Sequence, residues 1–371
     1  MPERAMRLAL AQARRAEGGA HPNPPVGAVV VRGGRVLGRG FTRPPGGPHA
    51  EIVALERARR RHGARALRGA TLAVTLEPCA HHGRTGPCVE AILAAGIARV
   101  WVGQRDPSPW TGGTGLRRLR AAGVAVALGV LEAECRRQHR GFTSVVERGR
   151  PFVALKLAGS LDGRIATARG ESRWITGERA RAFVHVLRAR ADALLVGSGT
   201  ALTDDPALTA RRGGRVVHRP VRVVVDSALR VPPRARLHRG PGRSLVLCLS
   251  GAPARRRAAL ERAGVGVLAV RGRGGHVDLA AGLRRLAEAG LTTLLVEGGG
   301  QLAAALLRAG LVDELHWFVA PKLLGGDGRA ALGPIGAERL GRAVVLVEPE
   351  VRRLGQDLYV SGRIVRGDSG A

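Results

Sequence analysis

Pro48-His49-Ala50-Glu51 and Glu77-Pro78-Cys79-Ala80-His81-His82-Gly83-Arg84-Thr85-Gly86-Pro87-Cys88 decide the reading of this chain. One His and two Cys supply three ligands to a tetrahedral Zn²⁺ and leave the fourth position to water, the arrangement of a catalytic rather than a structural site. Glu51, two residues after His49, lies on a different side of the first helical turn, which suits an acid beside the metal and not a ligand. Taken singly, His-x-Glu is an ordinary solvated helix start, and two Cys are ordinary small buried side chains. The conjunction carries the reading: a Pro/Gly loop, His-Ala-Glu opening a helix, a strand ending in Glu-Pro-Cys, and a second Cys opening another helix.

Working outward, residues 3–17 carry Met6, Ala9, Leu10 and Ala13 at helical spacing, with Gly18-Gly19 as the stop. The rigid loop His21-Pro22-Asn23-Pro24-Pro25-Val26-Gly27 feeds an apolar strand, Ala28 to Val31, and Gly33-Gly34 turns it into a second strand, Arg35 to Gly40. The pattern then predicts a helix from His49 to about Arg61, a strand from Thr71 to Leu76 and a helix from Val89 to Ala95 opened by Cys88. A thiolate there is favoured by the positive end of the helix dipole. Strand, helix, strand, helix follow at 99–103, 113–122, 123–128 and 131–147, which makes the first unit a three-layer α/β domain. Arg148-Gly149-Arg150-Pro151 has the composition of a linker.

A second α/β alternation begins at Phe152. Its strands are expected at 152–158, 192–196, 221–226, 244–249, 266–270, 291–296, 312–319 and 356–365, its helices near 177–190, 253–263, 278–289 and 301–309, and the tail after Arg366 is expected to be disordered.

The totals fit two globular domains in 371 residues. The formal charge of +31 points toward nucleic acid if taken alone. However, Lys156 and Lys322 are the only Lys, and Ala, Gly and Arg are inflated together along the whole chain, so the charge reads as a bias spread over solvated faces. Aromatic residues at 3% leave few stacking platforms for single strands. No nucleic-acid or membrane partner is therefore expected. Four Cys are too few for a secreted disulfide framework, and the N-terminus carries no apolar signal core, so a cytoplasmic protein is expected. Cys135 and Cys248 lie away from ligand spacing and read as structural; His81 and His82 read as loop or pocket residues.

The conjunction around His49 matches the zinc deaminase pattern, in which the Glu is a general acid/base and not a ligand. Eight residues separate Cys79 from Cys88, longer than the short Pro-Cys-x-x-Cys form. With His-Pro-Asn-Pro-Pro-Val-Gly before it and Asp106-Pro107 after it, this segment resembles the deaminase half of the bifunctional riboflavin biosynthesis deaminase-reductases. The second half adds Lys156-Leu-Ala-Gly-Ser-Leu-Asp-Gly163, Gly170-Glu-Ser-Arg-Trp-Ile-Thr176, Gly197-Ser-Gly-Thr200, Asp204-Asp-Pro-Ala-Leu-Thr209, Asp226-Ser227 and Val296-Glu-Gly-Gly-Gly300. Each is weak alone; their order resembles the reductase half of the same family.

That resemblance implies a cytidine-deaminase-like domain over residues 1–147, a linker at 148–151, and a dihydrofolate-reductase-like domain over 152–366 that uses NADPH. It implies homo-oligomers and a small phosphorylated pyrimidine substrate. The first reaction would deaminate 2,5-diamino-6-ribosylamino-4(3H)-pyrimidinone 5′-phosphate; the second would reduce the ribosyl side chain to ribityl. By position, Trp174, Thr200, Asp204, Ser227 and Gly298, Gly299 and Gly300 are implied as cofactor contacts. Asn23, Ser172, Arg188, Leu208, Arg211 and Glu297 are implied as substrate contacts, the two Arg suiting a phosphate through their guanidinium forks. Lys156 is a guess for the proton donor. Read without the family, Asn23 is equally an Asx-turn residue, Arg188 an exposed helix charge, Trp174 a core aromatic and Asp204 a cap. Gly86 and Ser108 depart from the family pattern in loops, and His139 departs from it where a helical Asn is usual. Two rival readings remain: a nucleic-acid base deaminase with an appended domain, and a zinc-stabilised RNA-binding module in which Glu51 is dispensable.

Overall fold

A computed structural model describes residues 1–81, 86–109 and 111–366, without the side chains of Arg273 and Arg366. The chain forms two compact units, Met1–Arg150 and Pro151–Ala371.

The first unit runs α1 (Pro2–Ala13), β1 (Gly27–Arg32), β2 (Arg35–Phe41), α2 (Ala50–His62), β3 (Thr71–Leu76), α3 (Cys88–Ala94), β4 (Arg99–Gln104), α4 (Thr114–Ala121), β5 (Ala125–Leu128), α5 (Glu132–Gln138) and α6 (Arg140–Arg148). The sheet order is β2-β1-β3-β4-β5. β1 is antiparallel to β2 and β3, and β3-β4-β5 are parallel. Every residue of β3 is buried, as an apolar run covered on both faces requires. Two glycines let α2 lie directly on β2: a Cβ at Gly38 would meet the Ala54 carbonyl oxygen at 2.2 Å, and one at Gly40 the Ala50 oxygen at 2.1 Å. That close approach fixes the start of α2, and with it His49.

The helix expected over 131–147 is two helices broken at His139. The His139 ring turns into the interior, where its Nε2 lies 3.0 Å from Thr75 Oγ1, and its backbone at φ −99°, ψ 13° ends α5 and begins α6. Periodicity does not register a single buried polar tether. The first helix also ends at Ala13, followed by turns, short of the glycine pair that sequence made its stop.

The second unit runs β6 (Phe152–Ser160), α7 (Glu178–Arg190), β7 (Ala193–Gly197), α8 (Ser198–Asp204), β8 (Val221–Val225), β9 (Ser244–Leu249), α9 (Ala254–Arg262), β10 (Gly266–Val270), α10 (Leu279–Glu288), β11 (Thr293–Glu297), α11 (Gly300–Arg308), β12 (Glu314–Ala320), β13 (Val344–Leu354) and β14 (Asp357–Arg366), besides short strand pairs. Its sheet order is β10-β9-β8-β7-β11-β6-β12-β14-β13. All pairs from β10 to β12 are parallel, and β14 and β13 close that edge antiparallel. Separate apolar clusters fill the two faces, one around Leu155, Leu247 and Leu286, the other around Leu194, Leu237 and Phe318. The sequence reading missed β13: Val344 to Val347 is a short apolar run that is only partly buried, and the rest of the strand, at the sheet edge, is exposed as far as Arg353 and carries Glu348, Pro349, Glu350, Arg352 and Arg353. The tail after Arg366 lies outside the described residues.

Candidate active sites

In the first unit, α2, the end of β3 and α3 each deliver one ligand. His49 is the N-cap of α2, and its Nδ1 lies 3.6 Å from Cys79 Sγ and 3.3 Å from Cys88 Sγ. The three ligand atoms all lie within 4.8 Å of one another. Tetrahedral bonds of about 2.3 Å to sulfur and about 2.0 Å to nitrogen set such atoms roughly 3.5–3.8 Å apart, so the donor set and its spacing fit zinc. The backbone N–H of Cys88 donates to Cys79 Sγ at 3.4 Å, adding a hydrogen bond that favours a thiolate. The Cys79 thiol is pulled down to about 4, chiefly by its hydrogen bond with Cys88. Cys88 is pushed the opposite way, because it keeps the proton that Cys79 gives up and because it is buried.

Glu51 is only 4% exposed and stands outside the ligand set but beside it. Burial, then the negative charge of Cys79, raises its carboxyl to about 7. A carboxyl poised near neutrality can both take and return a proton. Asn23 is half-buried, and its side chain makes no hydrogen bond among the described residues, so it does not form an Asx-turn there. His81 is exposed, and His82 lies outside the described residues. Cys135 and Cys248 are buried in the core, away from this cluster.

Sequence reasoning passed over Glu77. Its buried carboxylate accepts the backbone N–H groups of Asp106 (3.2 Å), Gly113 (2.9 Å) and Leu116 (3.2 Å), tying the segment before Cys79 to the start of α4. An acid closing an otherwise apolar strand was the available signal.

In the second unit, a cleft of about 1850 Å³ includes residues at the carboxyl ends of the parallel strands, where open α/β sheets bind ligands. Lys156, Ser172, Thr200, Asp204, Ser227 and the Gly298–Gly300 turn line it. Gly298 and Gly299 adopt φ of 79° and 75°, and a Cβ at Gly298 would meet Thr200 Cγ2 at 2.9 Å. Glycine is therefore needed where this turn leads into α11, a helix start whose N–H groups suit a phosphate. The cleft, the turn and the donors along it fit a dinucleotide cofactor.

Glu297, at the end of β11, is paired in register with Lys156 on β6. It binds Arg188 through both carboxylate oxygens, at 2.6 and 2.7 Å. Burial disfavours its charge, but Arg188 and Lys156 hold its carboxyl below the usual range. Burial likewise lowers the Lys156 ammonium, with Glu297 opposing the shift. Arg188 is thus no exposed helix charge. It also donates to the Thr209 carbonyl at 3.1 Å, in the segment that carries Leu208, at φ 47°, and Arg211. Asp204 ends α8 rather than capping its start. Trp174 stands apart from the other expected cofactor contacts. It is 64% exposed in a smaller cleft of about 550 Å³, with the Arg181 guanidinium 4.7 Å over its ring, and so is not a core aromatic.

Residues 1–104 match the cytidine and deoxycytidylate deaminase zinc-binding region, and residues 151–360 match the RibD C-terminal domain. Fold and sites together define a two-domain α/β enzyme, a zinc-dependent cytidine-deaminase-like unit followed by an NADPH-dependent, dihydrofolate-reductase-like unit. The chain is 41% identical over 364 residues to the riboflavin biosynthesis protein RibD of Escherichia coli (strain K12), covering 95% of this chain and 96% of that one. It is 40% identical to RibD of Mycobacterium tuberculosis (strain ATCC 25618 / H37Rv), covering 97% and 96%. Among solved structures it resembles Acinetobacter baumannii RibD, form 2 (TM-score 0.86, 35% identity, 98% and 99% covered). It also resembles a diaminohydroxyphosphoribosylaminopyrimidine deaminase/5-amino-6-(5-phosphoribosylamino)uracil reductase from Thermotoga maritima (TM-score 0.83, 36% identity, 98% and 99% covered). The chain belongs to the RibD family and is a bifunctional deaminase and reductase of riboflavin biosynthesis.

Proposed function

We propose that the two sites act in succession on one phosphorylated pyrimidine, with the residues in the following roles. Deamination belongs to residues 1–147 and reduction to 152–366, with 148–151 as the link. His49, Cys79 and Cys88 hold zinc, which supplies a Lewis acid that makes water acidic enough to attack a ring carbon at neutral pH. Glu51 takes the proton from that water and returns it to the leaving amine, so that ammonia departs as the ring carbonyl forms. Asn23 holds the ring. The observation that carries this half is Glu51, buried beside the ligand cluster with its carboxyl raised to about 7.

In the second unit, NADPH supplies the hydride. At the sugar, hydride fills C1′, the bond from C1′ to the ring oxygen breaks, and that oxygen takes a proton. Lys156 gives the proton from Nζ, and Glu297, fixed by Arg188, holds the ammonium in place. Ser172, Leu208 and Arg211 form the rest of the sugar-phosphate site. Thr200, Asp204, Ser227 and Gly298–Gly300 hold the cofactor, and Trp174 joins them only after moving from its present cleft.

The enzyme works in the cytoplasm as a homo-oligomer, without a nucleic-acid or membrane partner. The edge strand β13, with Val345 and Val351 exposed, supports self-association, and no helix among the described residues is long and apolar enough to cross a membrane. The test supplies the diamino substrate with and without NADPH and identifies the products by mass. The deaminated ribosyl product without NADPH and the ribityl product with it are expected. Reduction of the diamino substrate ahead of deamination would reverse the proposed order.

A further inference from the structure

The reductase cleft has a direction, set by the strands beneath it. Glu297 ends β11 in register with Lys156, midway along β6, and Gly197 and Val225 end β7 and β8 side by side. With the order β8-β7-β11-β6, three strand intervals separate the Lys156 end from the β8 end, about 14 Å at the usual spacing. An extended dinucleotide covers such a span between its nicotinamide and its adenosine ribose. If the nicotinamide lies where Lys156 serves the sugar, the adenosine ribose falls beyond β8.

There the chain builds a turn that presents a cation. Asp226, 1% exposed, accepts the Val231 N–H at 2.7 Å through Oδ2 and the Leu229 N–H at 3.1 Å through its carbonyl, and Leu229 is held at φ 53°. Ser227 Oγ accepts the Val277 N–H at 3.2 Å. The turn carries Arg230 into the cleft with its side chain 58% exposed. One Nη2 donates to Ser198 Oγ at 2.9 Å, and Nε stands 4.0 Å from Asp226 Oδ1. The Asp226 carboxylate is buried under the turn, so it aims the guanidinium and cannot itself receive the ribose hydroxyls that an acidic residue binds in NADH-preferring sites. Of the other basic groups on the cleft, Lys156 lies at the opposite end, Arg308 donates to the Pro334 carbonyl, Arg329 lies on the short strand paired to Ala166, and His276, next to Val277 at the Ser227 end, offers a ring nitrogen and not a guanidinium fork.

We propose that Arg230 is the residue that selects NADPH over NADH, its fork receiving the 2′-phosphate together with the Ser198 hydroxyl. The geometry of a guanidinium matches phosphate oxygens, and its remaining N–H groups face open cleft. The proposal rests on the reading of this cleft as the cofactor site.

Equilibrium binding of NADPH and of NADH to the full-length chain, followed by calorimetry, tests it. Arg230→Ala is expected to weaken NADPH about 10- to 100-fold, the range of a lost charged hydrogen bond, and to leave NADH unchanged. Arg230→Lys, which keeps the charge without the fork, should lose less. Equal weakening of both nucleotides, or of neither, overturns the assignment. Unchanged NADH binding also certifies that the variant is folded. A wild-type chain that binds no NADPH overturns the cleft reading itself; NADPH binding that Gly298→Ala weakens and Arg230→Ala does not overturns the Arg230 assignment alone.

Discussion

Arg188 and Glu297 meet fork to fork, Nε to Oε1 at 2.6 Å and Nη2 to Oε2 at 2.7 Å, with the Glu297 side chain 9% exposed. The pair links α7 to the end of β11 beneath the reductase site. Removing one partner leaves the other charge buried without compensation, which costs about 3 kcal/mol or more. Arg188→Met should therefore lower the urea midpoint of the reductase unit, and adding Glu297→Gln should recover part of the loss. A double variant as unstable as the sum of the two single ones would show that the pair does not act as a unit.

Glu51→Gln keeps the shape of the buried carboxyl but cannot accept the water proton. Zinc content measured by atomic absorption should stay at the wild-type level, while ammonia release falls about 10²- to 10⁴-fold. Deamination at the normal rate would return Glu51 to a structural role.

Chelation separates the two activities. The ligand cluster belongs wholly to Met1–Arg150, and the cleft wholly to Pro151–Ala371. A zinc-stripped chain should lose deamination yet still oxidise NADPH with the deaminated intermediate. A parallel collapse of both activities would mean that the reductase unit depends on the metal for its fold.

His139 and His238 make stability fall in acid. Burial lowers each imidazole from 6.5 to about 4, so both are neutral in the folded chain. Between those values the unfolded chain binds more protons, and stability rises with pH. The contribution is complete above about 6.5 and is lost as pH falls toward about 4, up to roughly 3 kcal/mol per ring. Replacing His139 with Asn, which does not titrate, should flatten the urea midpoint between pH 4.5 and 7 for the first unit. An unchanged slope would show that the ring is not held neutral.

Much of the fold was legible because apolar periodicity carries it. The strands at 71–76 and 244–249 stand where apolar runs placed them, since burial on both faces leaves an uninterrupted apolar record. The ligand set was legible for a related reason: His, Glu and Cys at loop-to-helix junctions are chemically distinctive and close enough in sequence for order alone to pair them.

What the sequence determined by itself was chemistry: a zinc ligand set with an acid beside it, a glycine turn before a helix, and a family likeness spanning both halves. Tertiary structure alone decided which of those residues meet. It raised Glu51 by burying it, set Lys156 beside Glu297 by strand register, joined Arg188 to Glu297, and turned His139 inward to break a helix that periodicity made continuous. Each depends on contacts between distant segments, and on the loss of water that comes with them. Local pattern records which face of an element is apolar. It does not record what the opposite wall brings, and at a buried site the opposite wall sets the charge.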